Sequence, residues 1–288
     1  MNPQPAAANE WNISPRCYRH PDRETAVSCV RCERPICPDC LRSAPVGFQC
    51  PDCVAKGAAR APTLPYGGQI AERAGLVTLV LGALNVAVFV ITAVTSPGGV
   101  QHNYASRLFS RLVLSPIIVA EHQEYWRFLG SAFLHFGLVH LVLNMVSLAL
   151  LGPPLERLFG AARYTAIYLV GALGGAVAVF VFGNPINNVA GASGAIVGLF
   201  GALIVVCRKL GLDMRALLPT IVINIYITFR IPDISWLGHL GGLVAGGLCA
   251  AVLMYAPKAQ RLQYQILGVG LILGVLAALT VYRAGVLR

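Results

Sequence analysis

From Ala74 onward the chain alternates between long apolar runs and short breaks that carry its polar, glycine and proline residues. A helix that crosses a bilayer needs ~20 predominantly apolar residues, and shorter ones are tolerated inside a bundle. Seven stretches meet this description: about 74–95, 132–152, 165–183, 192–208, 215–230, 236–256 and 264–282. Several are short and rich in Gly and Ala, which suits helices packed tightly against one another, where small residues let backbones approach. The run 264–282 is more uniformly aliphatic, reads as lacking polar groups, and is expected at the edge of the bundle. The pattern predicts an all-α polytopic membrane protein.

Before Ala74 the pattern changes. Residues 1–15 are rich in Ala, Pro and Asn and are expected to be disordered; residues 16–54 are dense in cysteine; residues 55–73 form a linker of small residues, proline and glycine. Residues 74–260 then form the main membrane domain, and 261–288 an additional transmembrane helix. Met1 to Glu10 have neither the basic start nor the apolar stretch of a secretory signal, so the cysteine-rich region is expected to stay in the cytoplasm.

Composition agrees with the membrane reading. Of the 288 residues 56% are hydrophobic and only 12% charged, about half the charged share of a soluble domain. The net charge is +10, and its placement matters more than its size: residues 1–73 hold nine Lys/Arg against seven Asp/Glu, residues 74–288 thirteen against five. The excess flanks the spans, where basic residues set topology. No basic run with interleaved aromatics supports nucleic-acid binding. Seven spans put the termini on opposite sides. With the N-terminus inside, nine cations face the cytoplasm (Arg60, Arg73, Arg157, Arg163, Arg208, Lys209, Arg215, Lys258, Arg261) and six face outward (Arg107, Arg111, Arg127, Arg230, Arg283, Arg288). That bias predicts N-in, C-out.

Cys17-x2-His20, Cys29-x2-Cys32, Cys37-x2-Cys40 and Cys50-x2-Cys53 offer eight ligands in four pairs. Two tetrahedral zinc ions need eight N/S ligands, and a pair two residues apart clasps one ion from a tight turn. A disulfide framework fits less well, given the cytoplasmic placement and one Cys/His pair. Over about residues 17–53 the spacing resembles B-box-type zinc fingers. That resemblance implies cross-bracing, with Cys17, His20, Cys37 and Cys40 on one ion and Cys29, Cys32, Cys50 and Cys53 on the other; spacing alone also allows a sequential pairing. A closed shell of this kind is structural, not catalytic. The remaining cysteines, Cys207 and Cys249, read as small packing residues.

Three spans carry polar groups that are costly in a bilayer and usually functional. Ser193 lies in Gly191-Ala-Ser193-Gly194 near the start of one span, just after the uncharged stretch 184–190. N–H groups at a helix start lack intrahelical partners and can face a developing oxyanion. His239 opens another span in His239-x2-Gly242-x3-Gly246, with both glycines on its own helical face. Gly194 and Gly198 line the serine span, and two glycine faces in contact would bring His239 to Ser193. His140 and Asn144, four residues apart, share a face of a third span and are donor types suited to an oxyanion hole. His135 is either another polar group of that cavity or a loop residue.

Taken in order, Tyr125-Trp126-Arg127, His140-x3-Asn144, Glu156-Arg157-x2-Gly160, Gly191-x-Ser193-Gly194 and His239-x2-Gly242-x3-Gly246 resemble the rhomboid family of intramembrane serine proteases over about residues 74–260. The resemblance implies a six-helix bundle, here with a seventh C-terminal transmembrane helix, preceded by the small cytoplasmic zinc-binding module. It implies Ser193 as nucleophile and His239 as general base, without a third carboxylate. His140, Asn144 and the Ser193 backbone would form the oxyanion hole. It further implies that 97–126 is a first loop lying partly in the outer leaflet, and that Glu156-Arg157 is a structural ion pair. Where many members place an aromatic four residues after the serine, this chain has Val197.

The implied function is hydrolysis of a peptide bond in or beside a transmembrane segment of a membrane protein, in the plasma membrane and on its extracytoplasmic side. Zinc would be confined to the N-terminal module, which would recruit a cytoplasmic protein partner or the substrate's inner tail. The alternative is a non-catalytic adaptor that binds membrane clients. Inactive relatives lose the serine or histidine or place a proline before the serine, whereas here Ala192 precedes Ser193. A transporter would want charged or broken-helix sites at mid-membrane, and no buried carboxylate pair suggests one.

Overall fold

A computed structural model describes residues 15–44, 46–58, 66, 75–213, 215 and 235–288. The span expected over 215–230, the N-terminal stretch before residue 15 and most of the linker lie outside the described residues. The chain divides into two compact units, Met1–Pro62 and Thr63–Arg288.

In the first unit, strands β1 (Arg42–Ser43) and β2 (Phe48–Gln49) pair antiparallel, and helix α1 (Pro51–Ala58) follows. Its buried set is six cysteines and Ile36. So small an apolar core cannot hold a fold by burial alone, and a module of this size relies on another cross-link.

In the second unit, six helices of the described residues are long and apolar enough to cross a membrane. Five of them are α2 (Leu76–Val94), α6 (Gly137–Phe159), α7 (Ala161–Phe182), α8 (Ser193–Leu210) and α9 (Trp236–Tyr255). The sixth is α10 (Arg261–Leu287), whose apolar stretch begins at Lys258. Short helices α3 (Arg107–Leu112), α4 (Pro116–His122) and α5 (Arg127–Gly130) build the loop between α2 and α6.

The second expected span ends at 152, just before Pro153-Pro154, two residues that lack the N–H a helix interior needs. The helix instead continues to Phe159 and stops at Gly160, whose φ is 76°. The extra turns carry Glu156 to the start of α2. Its buried carboxylate accepts from the Val77 and Thr78 N–H groups at 3.0 and 2.9 Å and from the Thr78 hydroxyl at 2.8 Å. The expected Glu156–Arg157 ion pair is therefore corrected. The carboxylate answers the unpaired N–H groups and positive dipole of a helix N-terminus, which an adjacent arginine on the same helix cannot reach.

Helices α7, α8 and α9 form the tightest part of the bundle, and glycine is the reason. A β-carbon on Gly246 would come within 2.5 Å of Gly198, and one on Gly242 would overlap the Gly194 carbonyl. On the other side, β-carbons at Gly171 and Gly175 would lie 3.1 and 3.3 Å from Gly198 and Gly194. These pairs make α8 and α9 parallel and α7 antiparallel to both. The end of α8 and the start of α9 therefore lie at opposite ends of the bundle.

The α2–α6 loop is fastened by Arg127, which is buried against Glu124 and donates to the Ser110 and Val113 carbonyls at 2.7 and 2.8 Å. Beside it Tyr125 and Trp126 stay exposed, as interfacial aromatics do. Helix α10 is mostly exposed, as expected of a peripheral span, yet it does carry a buried polar side chain in Gln265, and Arg288 just past its end is tied back to the loop. Gln265 accepts from Arg163 and donates to the Tyr66 and Leu253 carbonyls, while Arg288 donates to the Ala120 carbonyl. The sequence reading missed these because one glutamine in an apolar run leaves the hydropathy pattern unchanged.

Candidate functional sites

Ser193 is the first residue of α8, and no side chain caps that start. Three observations hold it there. Residues Leu114 and Val189 exchange backbone hydrogen bonds of 3.0 and 2.9 Å, which pins the segment before the serine to the α3–α4 junction. The Gly191 N–H donates to the Ser131 carbonyl at 2.9 Å. Gly191 itself has φ 139°, a conformation that side-chain-bearing residues rarely adopt.

Space is the second reason for that glycine. A β-carbon at 191 would sit 2.9 and 3.0 Å from the His140 ring and 3.5 Å from the Ser193 hydroxyl. The missing side chain leaves a cavity of about 30 Å³ that His140, Gly191, Ser193 and Gly194 line together, enough for one or two water-sized groups. The Phe136 N–H donates to His140 Nδ1 at 3.4 Å. A ring whose Nδ1 accepts carries its proton on Nε2, and Nε2 is the atom nearest the cavity's glycine after Cε1.

His239 stands in the first turn of α9, whose start is capped by the Ser235 hydroxyl accepting from Gly238 N–H. It lies one turn before Gly242, and Ser193 lies next to Gly194. The Gly194–Gly242 contact therefore puts the serine and the histidine at one end of one helix pair. Asn144 is buried one turn along α6 from His140, and its amide donates to the His140 carbonyl at 2.9 Å. One amide hydrogen is thus engaged by the helix itself, leaving the other.

His135 is fully buried and packs edge-on against His140, with ring centroids 5.1 Å apart at 70°. Burial, with a smaller effect of the His140 charge, pushes its pKa down to about 3, so the ring is neutral. It supports the His140 ring from behind and is absent from the cavity wall.

Sequence reasoning missed several contributors. Asn103 donates to the His135 carbonyl and accepts from Gly137 N–H, locking the loop to the start of α6. These two partners lie more than thirty residues away, so no local pattern marks it. Gly171, Gly174 and Gly175 were legible as a helical small-residue face, and that signal was overlooked.

The Rhomboid domain family matches residues 122–256. Rhomboid protease GluP of Bacillus subtilis (strain 168) is 39% identical over 162 residues, which cover 53% of this chain and 31% of that protein. YdcA of the same organism, named after the rhomboid proteases, is 33% identical over 144 residues, covering 48% of this chain and 71% of YdcA. The chain belongs to the rhomboid family. RHOMBOID-like protein 5 of Arabidopsis thaliana is similar at 32% identity over 148 residues, 49% of this chain and 48% of that protein. This rhomboid thus spans about a third of GluP and about half of the plant relative. With six apolar helices among the described residues, it is an integral, multi-pass membrane protein.

Two further clusters lie in the first unit of this rhomboid. Cys17, His20, Cys37 and Cys40 converge, as do Cys29, Cys32, Cys50 and Cys53, each set with its ligand atoms within 4.8 Å of one another. The grouping is the cross-braced one. His20 Nδ1 lies 3.9, 3.3 and 3.4 Å from the sulfurs of Cys17, Cys37 and Cys40, and the Cys32 and Cys50 sulfurs are 3.7 Å apart. Tetrahedral zinc with its usual bond lengths sets ligand atoms ~3.6 Å apart, so the donor sets fit that ion. Arg34, which spacing did not single out, donates to the Cys32 and Cys50 sulfurs and stacks 4.1 Å over Tyr18. Its charge offsets that of an all-thiolate set.

Proposed function

We propose that this protein is a rhomboid-type serine endopeptidase that cleaves a peptide bond in or near a transmembrane segment of a membrane protein. Ser193 Oγ attacks the scissile carbonyl while His239 takes its proton. The oxyanion is met by the Ser193 N–H, His140 Nε2–H and the second Asn144 amide hydrogen. Collapse expels the amine, which receives the proton from His239, and leaves an ester on Ser193. Water, deprotonated by His239, then releases the acid and restores the hydroxyl.

The observation that carries this reading is the shared cavity. The Ser193 hydroxyl and the His140 ring border one small void at a glycine that a β-carbon would fill. The closely matched Gly194–Gly242 contact supports His239 as the base. We also infer that each cysteine cluster holds a structural zinc ion, that the N-terminus is cytoplasmic, and that the membrane is the plasma membrane.

The test uses purified protein and a single-span substrate, with a fluorophosphonate probe for an activated serine. Cleavage and labelling by wild type, both lost in a folded Ser193→Ala variant, are expected. Cleavage by that variant at the wild-type rate would remove the mechanism, and absence of both from wild type would favour a client-binding adaptor.

A further inference from the structure

The β1–β2 hairpin of the first unit turns apolar side chains outward. The Ala44 N–H donates to the Gly47 carbonyl at 3.1 Å and closes its turn, where Gly47 has φ 69°. Val46 in that turn is 80% exposed, and Phe48 on β2 is 41% exposed. Val30, from the Cys29-x2-Cys32 knuckle, joins them. Its N–H donates to the Phe48 carbonyl at 2.9 Å, and its side chain lies where a β-carbon on Gly47 would come within 2.5 Å. Val30 is itself 55% exposed. The three make one projecting apolar tip outside the buried set of the unit, and grouped apolar exposure of this kind marks a protein or membrane contact.

Charge and chain length say which contact. Three carboxylates of the unit face arginines: Glu24 faces Arg16, Asp39 faces Arg23 and Asp52 faces Arg34. On the hairpin, the knuckle and α1 this leaves Arg31, Arg42 and Lys56 against Glu33. Arg31 follows Val30, and its guanidinium reaches α1, where a β-carbon on Gly57 would meet it at 3.1 Å. Apolar side chains beside a surplus of cations suit an anionic bilayer surface. Tyr66 follows Ala58, the last residue of α1, by eight residues, a length of chain that reaches at most ~28 Å. Tyr66 is buried in the second unit, with its ring centroid 6.1 Å from that of Phe159 and its carbonyl accepting from Gln265. Phe159 ends α6, whose first turn carries His140, so Tyr66 belongs to the end of the bundle away from Ser193. The bilayer surface on that side is within reach of the first unit, and so short a tether keeps its effective concentration high.

We propose that this hairpin tip docks on an anionic phospholipid surface, with Val30, Val46 and Phe48 entering the headgroup boundary and Arg31, Arg42 and Lys56 facing the phosphates. A soluble protein partner explains less. It has to be recruited from solution, and a stable protein contact uses ~20 residues a side, whereas three side chains on a hairpin tip make a small point that a fluid lipid surface can close around. The tip is also held in shape beforehand. Cys29 of the knuckle and Cys50 just after β2 belong to one cluster, so the ligands that would hold zinc also hold Val30 against Phe48.

The test is photocapture by the full-length protein in nanodiscs, with benzoylphenylalanine at Val46 or, as a control at an exposed turn beside His20, at Asp22. Position 46 should give phospholipid adducts about tenfold more often in phosphatidylglycerol discs than in phosphatidylcholine discs, the contribution of one or two cations at an anionic surface. Position 22 should give few in either. Val30→Asp and Phe48→Asp, both at exposed positions, should each lower capture from 46 by a similar factor. Equal capture from 22 and 46, equal capture in the two lipids, unchanged capture in both Asp variants, or adducts from 46 with protein alone overturns the proposal. The comparison of positions and lipids needs no Asp variant, so a variant that misfolds leaves it standing. No readout here involves Ser193, and the result is independent of the protease reading.

Discussion

Gly242 rests against the Gly194 carbonyl with no room for a β-carbon between them. One backbone contact thus sets the distance between the helix that begins with Ser193 and the helix that carries His239. Gly242→Ala is expected to push the helices apart, costing about 2 kcal/mol in stability as overpacked cores do, and to abolish fluorophosphonate labelling. Gly274→Ala on α10, where a β-carbon meets open space, should leave both unchanged. Equal behaviour of the two variants in thermal unfolding and labelling would refute the spacing role.

His140 is expected to act on the transition state and not on substrate binding. His140→Ala should lower kcat by roughly a hundredfold or more, the usual loss on removing one oxyanion donor, with KM little changed. Steady-state kinetics separate the two; a rise in KM alone would place His140 in ground-state binding.

Glu156 should matter for stability far from the serine. Glu156→Gln removes the charge that faces the Val77 and Thr78 N–H groups, and a charge-assisted hydrogen bond is worth about 2 kcal/mol. A clear drop in unfolding midpoint is expected. No drop would mean that the carboxylate is carried without contributing to the fold.

His135 should make the protein sensitive to acid. In the unfolded chain this ring gains a proton as pH falls through about 6.5, whereas the folded protein keeps it neutral to about 3. Stability from the neutral ring is complete above the higher value and drains away as pH falls toward the lower one. Between about pH 7 and 4 the wild type should lose stability more steeply than His135→Leu, by up to one proton in slope. Identical slopes in unfolding titrations would rule this out.

For the metal clusters, native mass spectrometry of the whole protein should find two zinc ions per chain, one per cluster. Cys29→Ser should retain one and Cys207→Ser both. Acidification should release zinc, because thiolates must be protonated to let go. A disulfide mass shift in place of zinc would overturn the assignment.

Much of this architecture was written in short-range patterns. Apolar runs marked six helices that the structure describes, because a lipid solvent demands length and hydropathy of a span whatever its neighbours are. The i+3 and i+7 glycines after His239 announced a close approach before any partner was visible. The cysteine pairs announced two four-ligand sets, though their spacing left two groupings open.

What lay beyond the sequence pattern involves partners far apart in the chain. The second span was expected to end at 152, yet the helix runs through Pro153-Pro154 to Phe159, and its added turns deliver Glu156 to α2, seventy-eight residues away from Thr78. Gly191 was legible as part of the Gly191-Ala-Ser193-Gly194 run; only the fold shows that its missing side chain is the space shared by His140 and Ser193. The same holds for Asn103 and for the Leu114–Val189 pairing. Local sequence determined which segments enter the membrane and which side chains bring chemistry, since hydropathy and helical period act over a few turns. Tertiary packing decided which of those groups meet, since a cavity belongs to several helices at once.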